Sequence, residues 1–170
     1  MAFAAARRAN WKPAKRAGYG HGLGFARYKN AGAYCAVVAE IEGAEDILVK
    51  RLTIAVDVGE VINPDGVINQ IEGGAIQATS WVLKEQVRFD RERITSNTWS
   101  SYPILRFSEV PEVQVEVISR PELDPVGAGE AAHGPATAAI ANAVFDCLGV
   151  RVRNLPITRD SLIAAMEHSS

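Results

Sequence analysis

Four glycines stand at alternate positions near the start of the chain: Gly18, Gly20, Gly22 and Gly24. Residues two apart share a face of an extended strand, so this spacing strips one face of a strand over residues 18–28 of its side chains. A bare face admits either a ligand or the close backbone of a packed neighbour, and the spacing alone leaves both open. Residues 33–41 read Ala-Tyr-Cys-Ala-Val-Val-Ala-Glu-Ile, β-prone and nearly all apolar, as in a central strand covered on both faces. After a turn at 42–46, residues 47–58 carry the β-branched Ile, Val and Thr of a long strand. Three antiparallel strands follow from these segments.

Two substantial helices are expected beside them. Asn63 is a good N-cap and Pro64 suits the first helical position. From there Val67, Ile68, Ile71, Ala75, Ile76, Ala78, Val82 and Leu83 keep helical spacing over 64–84. Gly73-Gly74 in mid-helix should cost roughly 1 kcal/mol each against Ala, which suggests that something approaches the backbone there. A second helix runs over 135–148 from Pro135, small-residue-rich in its first half, with Gly149 as its stop. Residues 3–11 read as the end of a helix stopped before Pro13, and residues 86–89, 113–119 and 151–153 as short strands. The class is α+β: an antiparallel sheet packed against two main helices. The expected divisions are a partial helix and tail at 1–17, a domain at 18–160 and a C-terminal tail at 161–170.

Apolar residues make up 48% of the 170 and charged residues 22%, enough for one domain with its own core. The net charge of −2 and the lack of a dense basic face argue against nucleic-acid binding. The one basic cluster, at Arg7, Arg8, Lys12, Lys15 and Arg16, reads as a solvated helix end. No apolar stretch reaches the length of a membrane span, and the N-terminus lacks the apolar core of a secretory signal. A cytoplasmic location is the expectation. Cys35 and Cys147 are isolated thiols in apolar surroundings rather than a metal or disulfide pattern. His21, His133 and His168 form no metal set, although His133 lies near a helix start and could shape a pocket.

Two segments carry candidate chemistry. Gly127-Ala128-Gly129-Glu130-Ala131-Ala132 matches a dinucleotide-binding pattern in letters only, because strand and helix do not flank it directly. It reads better as a loop whose glycines let main-chain amides approach a ligand while it aims one carboxylate, Glu130. Small neutral neighbours would desolvate that carboxyl and suit a general base. The bland alternative is a charge partner for the helix N-terminus. The second segment is Asn69-Gln70-Ile71-Glu72-Gly73-Gly74, where Gln70 beside bare backbone could offer its amide to a heterocycle; a solvent-facing Gln at a helix crossing is the alternative.

These segments belong to an ordered series: 24–30 (Gly-Phe-Ala-Arg-Tyr-Lys-Asn), 33–40, 56–59, Asn63-Pro64-Asp65-Gly66, 70–74, Tyr102-Pro103-Ile104-Leu105-Arg106, 127–130 and 138–143. From Ala17 to Pro156 the chain resembles the C-terminal part of the large subunit of the molybdenum hydroxylases, the xanthine dehydrogenase/aldehyde oxidase family. The resemblance implies that Glu130 is the catalytic general base, that Gln70 hydrogen-bonds the pterin, and that Gly127, Ala128 and Gly129 lie beside the cofactor, with no metal ligand from the chain. It implies hydroxylation of an aldehyde or aromatic N-heterocycle with water as oxygen source, by a molybdenum–pterin cofactor in its cytosine dinucleotide form. The implied partners are the N-terminal part of the molybdenum subunit, a [2Fe-2S] iron–sulfur subunit and a flavin or cytochrome acceptor. Many members have prolines after the catalytic glutamate; Ala131-Ala132-His133-Gly134-Pro135 here look most like the isoquinoline/nicotinate branch. The chain is far shorter than the family's large subunit, so alone it is expected to fold without cofactor or activity and to form a homo-oligomer. The competing reading is a stand-alone binding or interaction module without turnover, separable by whether a neighbouring gene encodes the missing part.

Overall fold

The nearly continuous apolar run at 33–41 becomes an inner strand covered on both faces. The computed structural model describes residues 1–11, 16–43 and 46–167; the helix stop expected at Pro13 and the tail residue His168 lie outside them. Strands β1 (Tyr19–Arg27), β2 (Tyr34–Gly43) and β3 (Ile47–Asp57) form the expected antiparallel meander. On β2, Cys35, Val37, Ala39 and Ile41 face one hydrophobic cluster while Ala36 and Val38 face another, as alternation along a strand requires. Helices α2 (Pro64–Leu83) and α3 (His133–Leu148) cover the first face. Helix α1 (Ala2–Arg8) covers the second, seating Ala5, fully buried, against Ala36, Val38 and Ala55.

Both main helices start and stop for the reasons legible in their ends. Asn63 Oδ1 accepts the Gly66 N–H at 3.0 Å with Pro64 at the first position. Gly149 ends α3 in the left-handed region, φ 72°, its N–H bonded to the Phe145 carbonyl at 2.8 Å.

The fourth strand, β4 (Glu112–Val117), pairs with β3 in parallel, Arg51 opposite Glu112 through Val56 opposite Val117. The sheet is therefore mixed, in the order β1-β2-β3-β4. Its Val/Glu alternation marks it as half-exposed, but alternation determines which face is buried and not the direction of the strand. Direction follows from the long crossover through α2, which returns the chain to the same end of the sheet. Two expected short strands do not form. Residues 86–89 contribute one isolated bridge, Phe89 with Ile94, around a turn in which Asp90 Oδ1 accepts the Glu92 and Arg93 amides at 2.8 and 2.9 Å. Residues 151–153 are irregular. Part of the expected C-terminal tail is helix α4 (Arg159–Glu167), with Leu162 buried and Ile157 N–H bonded to the Val82 carbonyl at 2.6 Å.

The glycine face of β1 receives α3, the packed-neighbour alternative. A Cβ on Gly20, Gly22 or Gly24 would fall 2.2, 2.0 and 2.0 Å from the carbonyl oxygens of Ala143, Ala139 and Pro135. The pitches match: two strand residues advance about 6.7 Å and four helical residues about 6 Å. Helix side chains also occupy the outer edge of β1, where Asn142 Nδ2 donates to the Leu23 carbonyl at 2.9 Å and Asp146 Oδ2 accepts the His21 N–H at 3.0 Å. Those backbone groups are thereby withheld from a further strand.

Two predictions follow from this packing. Gly22→Ala places a methyl group against helix backbone that cannot yield locally, and should destabilise the fold by about 3 kcal/mol or more. Gly73→Ala, where the new atom meets nothing within 4 Å, should instead stabilise it by about 1 kcal/mol; urea denaturation of both variants checks the pair. Burial pushes the Cys35 thiol up to about 12, so at about pH 8 only roughly one molecule in 10,000 presents the reactive thiolate. Cys35 should escape alkylation by iodoacetamide in the native state and react fully in denaturant, as read by mass spectrometry.

Candidate functional site

The candidate site is built where the end of β3, the start of α2 and the 120–130 loop meet. The buried Asp57 closes β3. Its Oδ1 accepts the Gly59 N–H at 2.9 Å and its Oδ2 lies 3.2 Å from Arg120 Nε. Gly59 has φ +72°, and a Cβ there would stand 2.2 Å from the Asp124 carbonyl oxygen, so both its conformation and the contact exclude a side chain. Main-chain bonds then pin the loop to the strand end: Arg120 N–H to the Gly59 carbonyl at 3.3 Å, Glu60 N–H to Leu123 at 3.0 Å, and Val126 N–H to Val58 at 2.9 Å.

Past this clamp the loop alternates. Val126 and Ala128 pack against the core cluster, whereas Gly127, Gly129 and Glu130 are exposed. A Cβ on Gly127 or Gly129 would meet nothing within 4 Å, leaving the peptide edge open to an incoming group. Opposite stands the first turn and a half of α2. Asn63, Gly66 and Gln70 on the helix and Val126, Ala128 and Gly129 on the loop line one open pocket of about 350 Å³. Gln70, Ala128 and Gly129 are thus brought together from segments far apart in sequence. Glu130 follows at the end of the loop, exposed, contrary to the desolvated setting that its small neighbours suggested. Among those neighbours it is Ala131 and Ala132 that are buried.

The sequence reading named His133 as a residue that could shape a pocket but missed the contacts of Tyr28 and Lys29 with this loop. Tyr28, at the end of β1, donates its hydroxyl to Glu130 Oε2. Beside it the Lys29 amine is raised above its ordinary value, first by its hydrogen bond to Tyr28, then by the charges of Tyr28 and Glu130. His133, the first residue of α3, seats its ring on Gly74, where a Cβ would stand 3.0 Å from His133 Cε1. Its Nε2 lies 3.0 Å from Gln77 Oε1, and the ring stacks on Trp81 at 5.0 Å between centroids. Nδ1 of that ring is buried with no hydrogen-bond partner. The glycine pair of α2 therefore divides: Gly74 makes room for His133, and Gly73 faces open space. The only advance signal of these contacts was Tyr28 and His133 flanking glycine-rich stretches; spacing in sequence could not pair residues 102 apart.

The arrangement offers neutral hydrogen-bonding groups together with two carboxylates, Glu60 on the pocket wall and Glu130 at the end of the loop. No group of three or more His, Cys, Asp or Glu residues that could hold a metal ion occurs among the described residues. No helix among them is long and apolar enough to cross a membrane. Cys35 and Cys147 are both free thiols.

Comparison with known proteins agrees with this geometry. Residues 4–111 match the family model described as molybdopterin cofactor-binding domain. The chain is 40% identical to one of the subunits of nicotinate dehydrogenase from Pseudomonas putida over 96% of its length, covering 15% of that protein. It is 36% identical to the beta chain of isoquinoline 1-oxidoreductase from Brevundimonas diminuta over 83% of its length, covering 18% of that protein. In structure it resembles quinoline 2-oxidoreductase from Pseudomonas putida 86, with a TM-score of 0.69 and 28% identity over 79% of this chain and 18% of the other. The chain thus spans less than a fifth of the length of each of these relatives. Fold, sequence and family model converge: the chain belongs to the molybdopterin cofactor-binding domain family of the molybdenum hydroxylases.

Proposed function

We propose that this chain is the C-terminal part of the molybdenum-binding subunit of a hydroxylase that oxidises an aldehyde or an aromatic N-heterocycle, taking its oxygen from water. The observation that carries this reading is the pocket that sets the Gln70 amide against the bare backbone of Ala128 and Gly129, with Glu130 at the end of the same loop. The residues suit the organic edge of a molybdenum–pterin cofactor: an amide that both donates and accepts, peptide edges left open at Gly127 and Gly129, and a helix start free of side-chain bulk at Gly66. The pocket's open side calls for walls from outside this chain, and the N-terminal part of the same subunit is the proposed source. The cytosine dinucleotide form of the pterin, a [2Fe-2S] subunit and a flavin or cytochrome acceptor complete the proposed enzyme. A cytoplasmic setting fits the two thiols kept reduced.

When bound, the cofactor would supply the two-electron acceptor for the oxidation. This chain's own residues would supply position and proton transfer. Gln70 would hold the pterin edge from α2, and the amides of the 127–129 loop would offer it further hydrogen bonds. Glu130 would act as general base, removing the proton from the water-derived nucleophile as it attacks the electron-poor carbon of the substrate. The clamp of Asp57, Arg120 and Gly59 keeps loop and helix at a fixed separation, so the base and the cofactor edge hold their geometry through turnover.

Two substitutions test this reading in the complete, cofactor-loaded enzyme. Glu130→Gln preserves size and hydrogen bonding but removes the base, and should lower kcat by about 100-fold to 10,000-fold at unchanged molybdenum content. Near-normal turnover would refute the base assignment. Gln70→Ala should weaken retention of the cofactor by about tenfold while the loaded fraction turns over nearly normally, because a buried polar edge loses its partner. Metal and pterin content after dialysis measures it, and full occupancy would show Gln70 to be a surface residue of α2.

A further inference from the structure

We propose that Tyr28 is a positioning residue for Glu130, its phenol holding the carboxylate in one place and orientation; the inference rests on the general-base reading of Glu130 and deepens it. The glycine register delivers Tyr28 to this spot. Gly24 packs on Pro135 and Gly20 on Ala143, so β1 runs antiparallel to α3, and the end of β1 arrives where α3 begins. The loop ending in Glu130 enters α3 at that same point, which lets Tyr28 reach a residue 102 positions away in sequence.

The backbone at Tyr28 is built for the task at a cost. Lys29 and Asn30 both lie in the left-handed region, at φ 47° and 58°. Asn tolerates this conformation, whereas for Lys its Cβ crowds the following carbonyl oxygen. Such strain persists only where surrounding contacts impose it, and it collects at functional sites. Here the contacts centre on Tyr28: its N–H donates to the Ala33 carbonyl at 2.9 Å, and its carbonyl accepts from Gly32 at 2.8 Å and Ala31 at 3.3 Å. The turn thus fixes the base of the tyrosine, and the phenol spans outward to Glu130. Lys29 Nζ lies 5.1 Å from the centroid of the Tyr28 ring, placing an ammonium beside the same pair. The phenol holds one carboxylate oxygen and leaves the other free for the proton that a general base takes.

The test combines kinetics with a readout that needs no turnover. In the complete, cofactor-loaded enzyme, Tyr28→Phe keeps the ring and removes only the donor. The expected result is a fall in kcat per loaded centre of about tenfold or more, the worth of one charge-assisted hydrogen bond, with KM changed by less than about twofold. In a Glu130→Gln background the same substitution should add no further loss, because Tyr28 acts only through Glu130. In the 170-residue chain, the Lys29 amine followed by carbon NMR should move back toward its ordinary value in Tyr28→Phe, and by less in Glu130→Gln. Unchanged kcat in Tyr28→Phe while Glu130→Gln is inactive would overturn the role of Tyr28 and leave the base assignment standing. Losses that add in the double variant, or a Lys29 amine that moves in neither protein, would overturn it as well. Full activity in Glu130→Gln would bring down the base reading and this inference together.

Discussion

The seating of α3 on a strand face without side chains sets the positions of nearly everything else. With Gly20, Gly22 and Gly24 beneath Ala143, Ala139 and Pro135, helix backbone lies directly on sheet backbone, closer than any pair of faces carrying side chains allows. At that distance a difference of one methyl group exceeds what side-chain repacking can absorb. The helix consequently has one height and one register. Asn142 and Asp146 lock that register by bonding the outer backbone of β1, and Arg151 Nη1 in turn holds Asn142 Oδ1 at 2.7 Å. The start of α3, with the loop before it, inherits its place from this contact.

A second set of constraints joins that helix start to α2. His133 occupies the hollow left by Gly74, bonds Gln77 and stacks on Trp81, so a polar ring contact joins the two main helices beside the apolar core that they share. The loop is tied at its other end by Asp57, Gly59 and Arg120. Between these anchors the 127–130 segment needs no secondary structure to be held. Its small residues leave main chain exposed where a ligand edge could lie, and the burial of Val126, Ala128, Ala131 and Ala132 supplies the fixed side.

Charge is distributed in keeping with this division. Most ion pairs stand away from the pocket, as with Lys84 and Glu109 at 2.7 Å, or Glu40 with Arg51 at 3.0 Å. Partly exposed pairs of this kind contribute little to stability. On the pocket wall the groups are amide, peptide and the Glu60 carboxylate, and at the end of the loop Glu130 meets the Tyr28 phenol with the Lys29 amine beside it. Such a surface suits a polar edge met by hydrogen bonds. Both Gln70 and Glu130 are exposed in this chain.

Much of this was legible in the residues themselves. The alternating glycines, the apolar run of β2, Asn63-Pro64 and Gly149 each encode a local geometry that short-range sterics enforce, and the elements form where those signals stand. Gln70 and the 127–130 loop could be singled out because bare backbone beside a polar side chain is conspicuous in any sequence. Other features were decided only in three dimensions. The direction of β4 depends on the path of the crossover, not on its own alternation. The exposure of Glu130 depends on which way the loop turns before α3, and small neighbours say nothing of that. The helix at Arg159–Glu167 depends on tertiary packing, since its sequence buries little beyond Leu162. The meeting of Tyr28 with Glu130 and of His133 with Gly74 arises from the register between β1 and α3 and from the crossing of α2 with α3. Sequence determines such contacts only through the whole fold, because short-range preferences fix φ, ψ and burial, whereas long-range partners are chosen by the packing that those preferences jointly permit.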